Sequence, residues 1–299
     1  MRGPKKTAMA VRNPEGEIVL EQWENENKKK SKFFKLPIIR GVFNFIESMK
    51  FGYKCLMRSA EIAGLEEIEK EEAEKAAKEG KKDHSQFWMN FIMVIASVLG
   101  VVLALFLFIA LPTLIYSLVC RISDSDIFFE ENRYLKSVFE GIFKVVILVG
   151  YMSAISLMKD IRRTFMYHGA EHKTIFCYES GAELTVENVK KQKRFHPRCG
   201  TSFLILMVLV SIFIGFFIPP ELHPVFRIGV KILLFPITMG LGYELIKFAG
   251  RHENIITKII SAPGVGLQHL TVFEPDDEMI ECAIAAMKEV IPEDGSDKI

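Results

Sequence analysis

The chain has 299 residues, 49% of them hydrophobic, with 38 Lys and Arg against 37 Asp and Glu. A net charge of +1 assigns no partner by overall charge, so what matters is where the positive charges sit. The five cysteines, Cys55, Cys120, Cys177, Cys199 and Cys282, form no CxxC pair and leave an odd one over, which excludes a disulfide framework and reads as reduced thiols.

Residues 1–36 open with Thr7, Met9 and Val11 on one face, a turn at Asn13, Pro14, Glu15 and Gly16, and renewed alternation at Ile18 and Leu20. This predicts a small β-hairpin. The stretch is too polar for a signal peptide, so internal helices must direct membrane entry. In residues 37–65, Ile39, Val42, Phe43, Ile46 and Met49 recur at helical spacing between Arg40, Glu47, Lys50, Lys54 and Arg58. Such an amphipathic helix either lies among lipid headgroups or packs on the cytoplasmic part of the protein. Residues 66–90, rich in Glu, Lys and Ala, read as a charged linker.

The run Phe91–Leu111 holds no charged residue, and roughly 20 apolar residues span about 30 Å of hydrocarbon as a helix. Four transmembrane helices are predicted: Phe91–Val119, bent at its outer end by Pro112; Val138–Met158; Phe203–Ile218; and Val225–Phe248. They fall in two pairs, residues 91–158 and 203–250, joined by a loop at 159–202. Lys159–Arg198 carries nine Lys and Arg residues, Arg121–Ser137 three and Pro219–Pro224 none. The positive-inside rule therefore makes the 159–202 loop and both termini cytoplasmic, in a multi-pass protein of the cell membrane. In residues 251–299, Ser261–Gly264 is read as breaking the helix, Gln268–Pro275 as an extended connection, and Asp276–Ile291 as an amphipathic helix with Met279, Ile280, Ala283, Ile284 and Met287 on its apolar face. The fold class is mainly α, with the hairpin and cytoplasmic amphipathic helices added.

The second span is expected to continue past Lys159 and carry His168, Glu171 and His172. One helical turn separates the two imidazoles, so both can point at one ion. H-x-x-E-H is the reversed zinc-protease motif, in which the glutamate acts as general base toward a water. His196 and Cys199, just before the third span, also have metal-ligand spacing, and the connecting loop should return them to the same depth. Cys177 is a further ligand or a loop residue. Glu244, near the cytoplasmic end of the fourth span, is a further ligand, a base, or the partner of Lys247 or Arg251. Glu140, Lys144 and Lys231 are read as snorkelling toward the outer interface. Imidazole and thiolate donors favour zinc among divalent metals. Three ligands leave a position for water, whereas four make the metal structural.

YHGAEHKTIFCYESGAELTVENV, RFHPRCGTSFL and APGVGLQHLTVFEPDDEMIECAIAAM, in this order, resemble the YqhQ-like family of bacterial membrane proteins, a domain of unknown function predicted to be metal-dependent enzymes. The resemblance covers nearly the whole chain. It implies roles for His168, Glu171, His172, His196, Arg198, Cys199 and Glu244, and a start upstream of the MRGP at Met1–Pro4. Two functions are expected from these readings. One is a zinc-dependent hydrolase at the cytoplasmic interface with Glu171 as base. The other is a scaffold with a structural zinc that binds lipid, a protein partner or a second copy of itself. A transporter lacks a file of polar ligands through the spans. The basic residues lack the interleaved aromatics of a nucleic-acid platform.

Overall fold

The computed structural model describes residues 1–25, 34, 36–64, 85–122, 132–197, 199–250, 252 and 254–292. Residues 66–84 of the charged 66–90 linker, Asp124–Glu131 and Arg198 lie outside them, while residues 85–90 are already helical. The hairpin forms as predicted: β1 (Lys6–Arg12) pairs antiparallel with β2 (Ile18–Glu24), with Ala10 opposite Leu20. Gly16 takes φ +86° in the turn, a value that suits glycine, while the Asn13 side chain accepts from the Glu17 N–H at 2.7 Å.

Helix α1 (Ile39–Ile62) docks on a later helix instead of standing apart. Its Gly41 lies against Gly240, where an added Cβ would come within 3.0 Å of the opposing backbone. Asn44 donates to the Tyr243 hydroxyl at 2.9 Å. Phe43, Ile46, Met49, Tyr53 and Leu56 remain exposed. The helix thus packs, as one of the two readings had it, but on the long apolar helix that carries Gly240 and Tyr243 and not on the cytoplasmic part.

Three helical stretches are long and apolar enough to cross a membrane: Val94–Ile122, Arg133–Ser156 and Pro224–Ala249. They point to membrane association. The first comprises α2 (Ser85–Leu105), a π-turn at Phe106–Ala110 and α3 (Leu111–Ile122). The π-turn precedes Pro112, whose ring cannot continue regular i−4 bonding. Helix α4 (Arg133–Ser156) begins earlier than Val138 because Asn132 caps it, accepting from the Tyr134 and Leu135 N–H groups at 3.1 Å. It stops at Leu157 and extended Met158, so the continuous helix expected into the motif is in fact two: α5 (Lys159–Glu179) starts anew. After the short α6 (Val186–Lys190) comes α7 (Ser202–Gly215), the predicted third span. Its 14 residues give about 21 Å, short of a bilayer core. Three spanning helices, not four, are therefore supported. Helix α8 (Pro224–Ala249) matches the predicted last span.

The expected break at Ser261–Gly264 does not occur, for α9 runs from Ile255 to Thr271 with Pro263 inside it. Thr257, Ser261, Gly264, Gln268 and Thr271 are buried at helical spacing. Small and polar residues make most of this face, with buried Leu267 beside them, and the extended connection shrinks to a strap at 272–275. Helix α10 (Asp277–Val290), capped by Asp276, buries the five predicted residues. Its Met279, Ile280, Ala283 and Ile284 share a core with Ala170 and Cys177 of α5 and with Val189. Met287 and Val290 meet Ala8 of β1.

Candidate metal centre

Helix α5 presents His168 and His172 on one side, their ring centroids 4.4 Å apart. Cys199 arrives from the loop just before α7. The His168 Nε2 and Cys199 Sγ are 3.1 Å apart, and His172 also hydrogen-bonds this sulfur. One donor atom from each residue lies within 4.8 Å of the others. The helical spacing and the returning loop had brought His168, His172, His196 and Cys199 to one place; three of the four converge here.

Backbone carbonyls orient both imidazoles. The His168 Nδ1 faces the Thr271 carbonyl at 3.0 Å, and the His172 Nδ1 faces that of Arg194 at 2.6 Å. A carbonyl only accepts, so each Nδ1 carries a proton and Nε2 is left as the ring atom turned to Cys199. Thr271 ends α9, where carbonyls have no helical partner, and is therefore free to serve. Gly169 makes this contact accessible: the strap crosses α5 so closely that a Cβ there would stand 2.0 Å from the Phe273 oxygen. The Phe273 N–H also donates to the Phe165 carbonyl at 3.0 Å.

Burial alone would push the Cys199 thiol up, but hydrogen bonds from His168 and His172, the His168 charge and the Thr201 hydroxyl outweigh it and bring it down to about 5. Thr201 Oγ1 stands 3.2 Å from the sulfur. Burial opposes charge on His168, yet the Cys199 sulfur and the Thr271 carbonyl together raise its pKa. The surroundings thus favour the thiolate, which is the ligand form of cysteine.

His196 stands next to this trio without joining it. Its ring centroid is 5.7 Å from that of His172, and its Nε2 is 3.5 Å from a Glu179 carboxylate oxygen. Its peptide is clamped by fully buried Gln268, which accepts from the His196 N–H at 2.8 Å and donates to the His196 carbonyl at 2.7 Å. Glu171 is exposed and lines a different cleft, of ≈ 550 Å³, with Met1, Arg2, Phe51, Tyr167 and Ile175. Cys177 is fully buried in the α5–α10 core. Glu244 forms a two-point ion pair with Arg40 of α1, the Arg40 Nε donating at 2.6 Å. The sequence had offered Glu244 as a further ligand or base, or as the partner of Lys247 or Arg251, of which Arg251 lies outside the described residues.

Sequence reasoning missed Gln268, Thr271 and Thr201. The first two lie in the third motif that carried the resemblance, and a glutamine among apolar neighbours was the available signal. It also misread Glu140, Lys144 and Lys231. They do not snorkel: Glu140 is 2% and Lys144 7% exposed, and Lys231 reaches a Glu140 carboxylate oxygen at 2.5 Å.

A family model described as Protein of unknown function (DUF1385) matches residues 36–293. The chain belongs to this family. "Uncharacterized protein YqhQ" of Bacillus subtilis (strain 168) is 33% identical over 285 residues, covering 94% of this chain and 86% of the relative. No solved structure matches. The DUF1385 match takes in every residue of the trio together with Gln268 and Thr271.

Proposed function

We propose that His168, His172 and Cys199 hold a divalent cation, zinc by the softness of the donors, and that the protein is a metal-dependent hydrolase at the cytoplasmic face of a membrane. The observation that carries this reading is the convergence of the three donor atoms within 4.8 Å of one another. Zinc with nitrogen at about 2.0 Å and sulfur at about 2.3 Å sets tetrahedral ligands roughly 3.5 Å apart, so small side-chain movements complete the shell. Nδ1–H donation to backbone carbonyls is the usual support for metal-ligating imidazole. With three protein ligands the ion keeps a fourth position and would supply Lewis acidity to a water there. His196, held by Gln268 and paired with Glu179, is placed to take a proton. Glu171 would have to act from the adjoining cleft. The substrate class that fits this location is a peptide or lipid at the bilayer surface, and the exposed apolar face of α1 suits lipid contact. A buried thiolate, 5% exposed, is open to an ion more readily than to a substrate carbonyl, which favours a ligand over a nucleophile.

A second reading, a structural zinc in a scaffold protein, is favoured by the closeness of His196 as a fourth ligand and by the way the centre ties α5, the 191–200 loop, α7 and α9 together. Elemental analysis of the purified protein tests both. About one zinc per chain is expected in the wild type and none in the paired His168→Ala, His172→Ala variant. Equal metal in both proteins would remove the centre. Retained metal with lost cellular function in His196→Gln or Glu171→Gln supports hydrolysis; retained function in both variants, with metal intact, leaves the structural role.

A further inference from the structure

The helical bundle holds a second polar cluster, remote in sequence from the His and Cys residues. Glu140 of α4 takes Lys231 of α8 at 2.5 Å and Arg227 at 3.5 Å. Lys231 also donates to the Thr113 hydroxyl at 2.6 Å. Arg227 is fully buried; its Nη1 donates to the Pro219 carbonyl at 3.0 Å, while its Nη2 has no hydrogen-bond partner among the described residues. Lys144, 7% exposed, meets only the neutral Ser211 hydroxyl, at 2.9 Å, among the described residues. Among the described residues three cations, Lys144, Arg227 and Lys231, face one carboxylate, so two positive charges have no carboxylate of their own there, within helices of membrane-spanning character. Buried charge is costly unless paired, and ionisable groups at such depth face a partner or a cavity.

A cavity is present. It encloses ≈ 450 Å³, within the range of small-molecule sites, and Lys144, Lys231 and Ser211 are in its wall. The rest of the lining is almost wholly apolar, including Leu148, Phe203 and Met207. Val101, Tyr151 and Leu204 also line it and are exposed, so it opens on the apolar flank of the bundle.

We infer that this cavity binds an anionic amphiphile, with a phosphate or carboxylate head against Lys144 and Lys231 and a hydrocarbon tail along the apolar wall. Excess buried positive charge selects the head, and the lateral opening admits the tail directly from the hydrocarbon phase. Neither feature depends on the metal centre.

The test is native mass spectrometry of the full chain in a neutral detergent, with hexadecyl phosphate, palmitate, hexadecyltrimethylammonium and inorganic phosphate as probes. Hexadecyl phosphate or palmitate should form a one-to-one complex that the cationic amphiphile and inorganic phosphate do not. Lys144→Met leaves the Lys231–Glu140 pair intact and should weaken the complex by at least about tenfold. Equal binding of cationic and anionic amphiphiles, equal binding of inorganic phosphate alone, or an unchanged affinity in K144M would overturn the proposal. The head-group comparison on the wild type decides by itself if the variant does not fold.

Discussion

Replacing Gly169 with alanine sets helix propensity against the crossing of the strap. Gly169 lies inside α5, where alanine is favoured over glycine by about 1 kcal/mol, so propensity alone expects stabilisation. The added methyl, however, would sit 2.0 Å from the Phe273 oxygen, and ordinary contact begins at 3.4 Å. The strap must retreat by the difference, about 1.4 Å, which breaks the 3.0 Å bond from the Phe273 N–H to Phe165. Overpacking costs about 1–3 kcal/mol and the lost bond about 1 kcal/mol. Set against the propensity gain, G169A is destabilised by about 1–3 kcal/mol, and its thermal midpoint in neutral detergent falls by roughly 2–10 °C. Gly266, in α9 with nothing within 4 Å of its virtual Cβ, is the control: G266A should be unchanged or up to about 1 kcal/mol more stable. G169A should also hold less metal, because Thr271 lies two residues before Phe273. A G169A midpoint at or above that of G266A would refute the close crossing.

Three further outcomes are expected. Glu140→Gln strands Lys231 and Arg227 and should cost about 3–5 kcal/mol, read as a lower midpoint, with Lys231→Met in the same chain recovering part of it; no recovery would sink the pairing. Gln268→Met leaves the buried N–H and carbonyl of His196 unmet and should cost about 2–4 kcal/mol while loosening metal retention; a variant as stable as wild type removes the clamp. In metal-free protein the Cys199 thiol, lowered from its ordinary value to about 5, stays thiolate as pH falls through neutrality and protonates only near pH 5. Ultraviolet thiolate absorbance should therefore show a step there that Cys199→Ser lacks, and an identical titration in the two proteins would contradict it.

Elements with an aliphatic rhythm were legible in the sequence. The hairpin and α10 form where alternation and helical spacing placed them, and the His168–His172 pair follows from helix geometry alone. What escaped was determined by partners far along the chain. Helix α9 sets Thr257, Ser261, Gly264, Gln268 and Thr271 around a single buried aliphatic, Leu267, and so many small and polar residues about Pro263 read as a break and a loop. Glu244 finds Arg40, 204 positions earlier, because Gly41 and Gly240 let two helices touch. Glu171 belongs to the motif by spelling, yet its place on the helix turns it toward another cleft. Spacing fixes angles within one helix and says nothing of which neighbour occupies each angle.

The shortness of α7 carries a consequence for where chemistry can happen. Its far end turns beside Pro219 and Pro220, where Lys136 of α4 donates to the Pro220 carbonyl at 3.2 Å, near the starts of α4 and α8. A 21 Å rod starting from that surface runs out about 10 Å before a 30 Å slab does. In a bilayer reaching from that end, Cys199, which stands just before the rod's other tip, would lie below the far surface. A molecule of the proposed kind, itself half embedded in lipid, would meet it from that side.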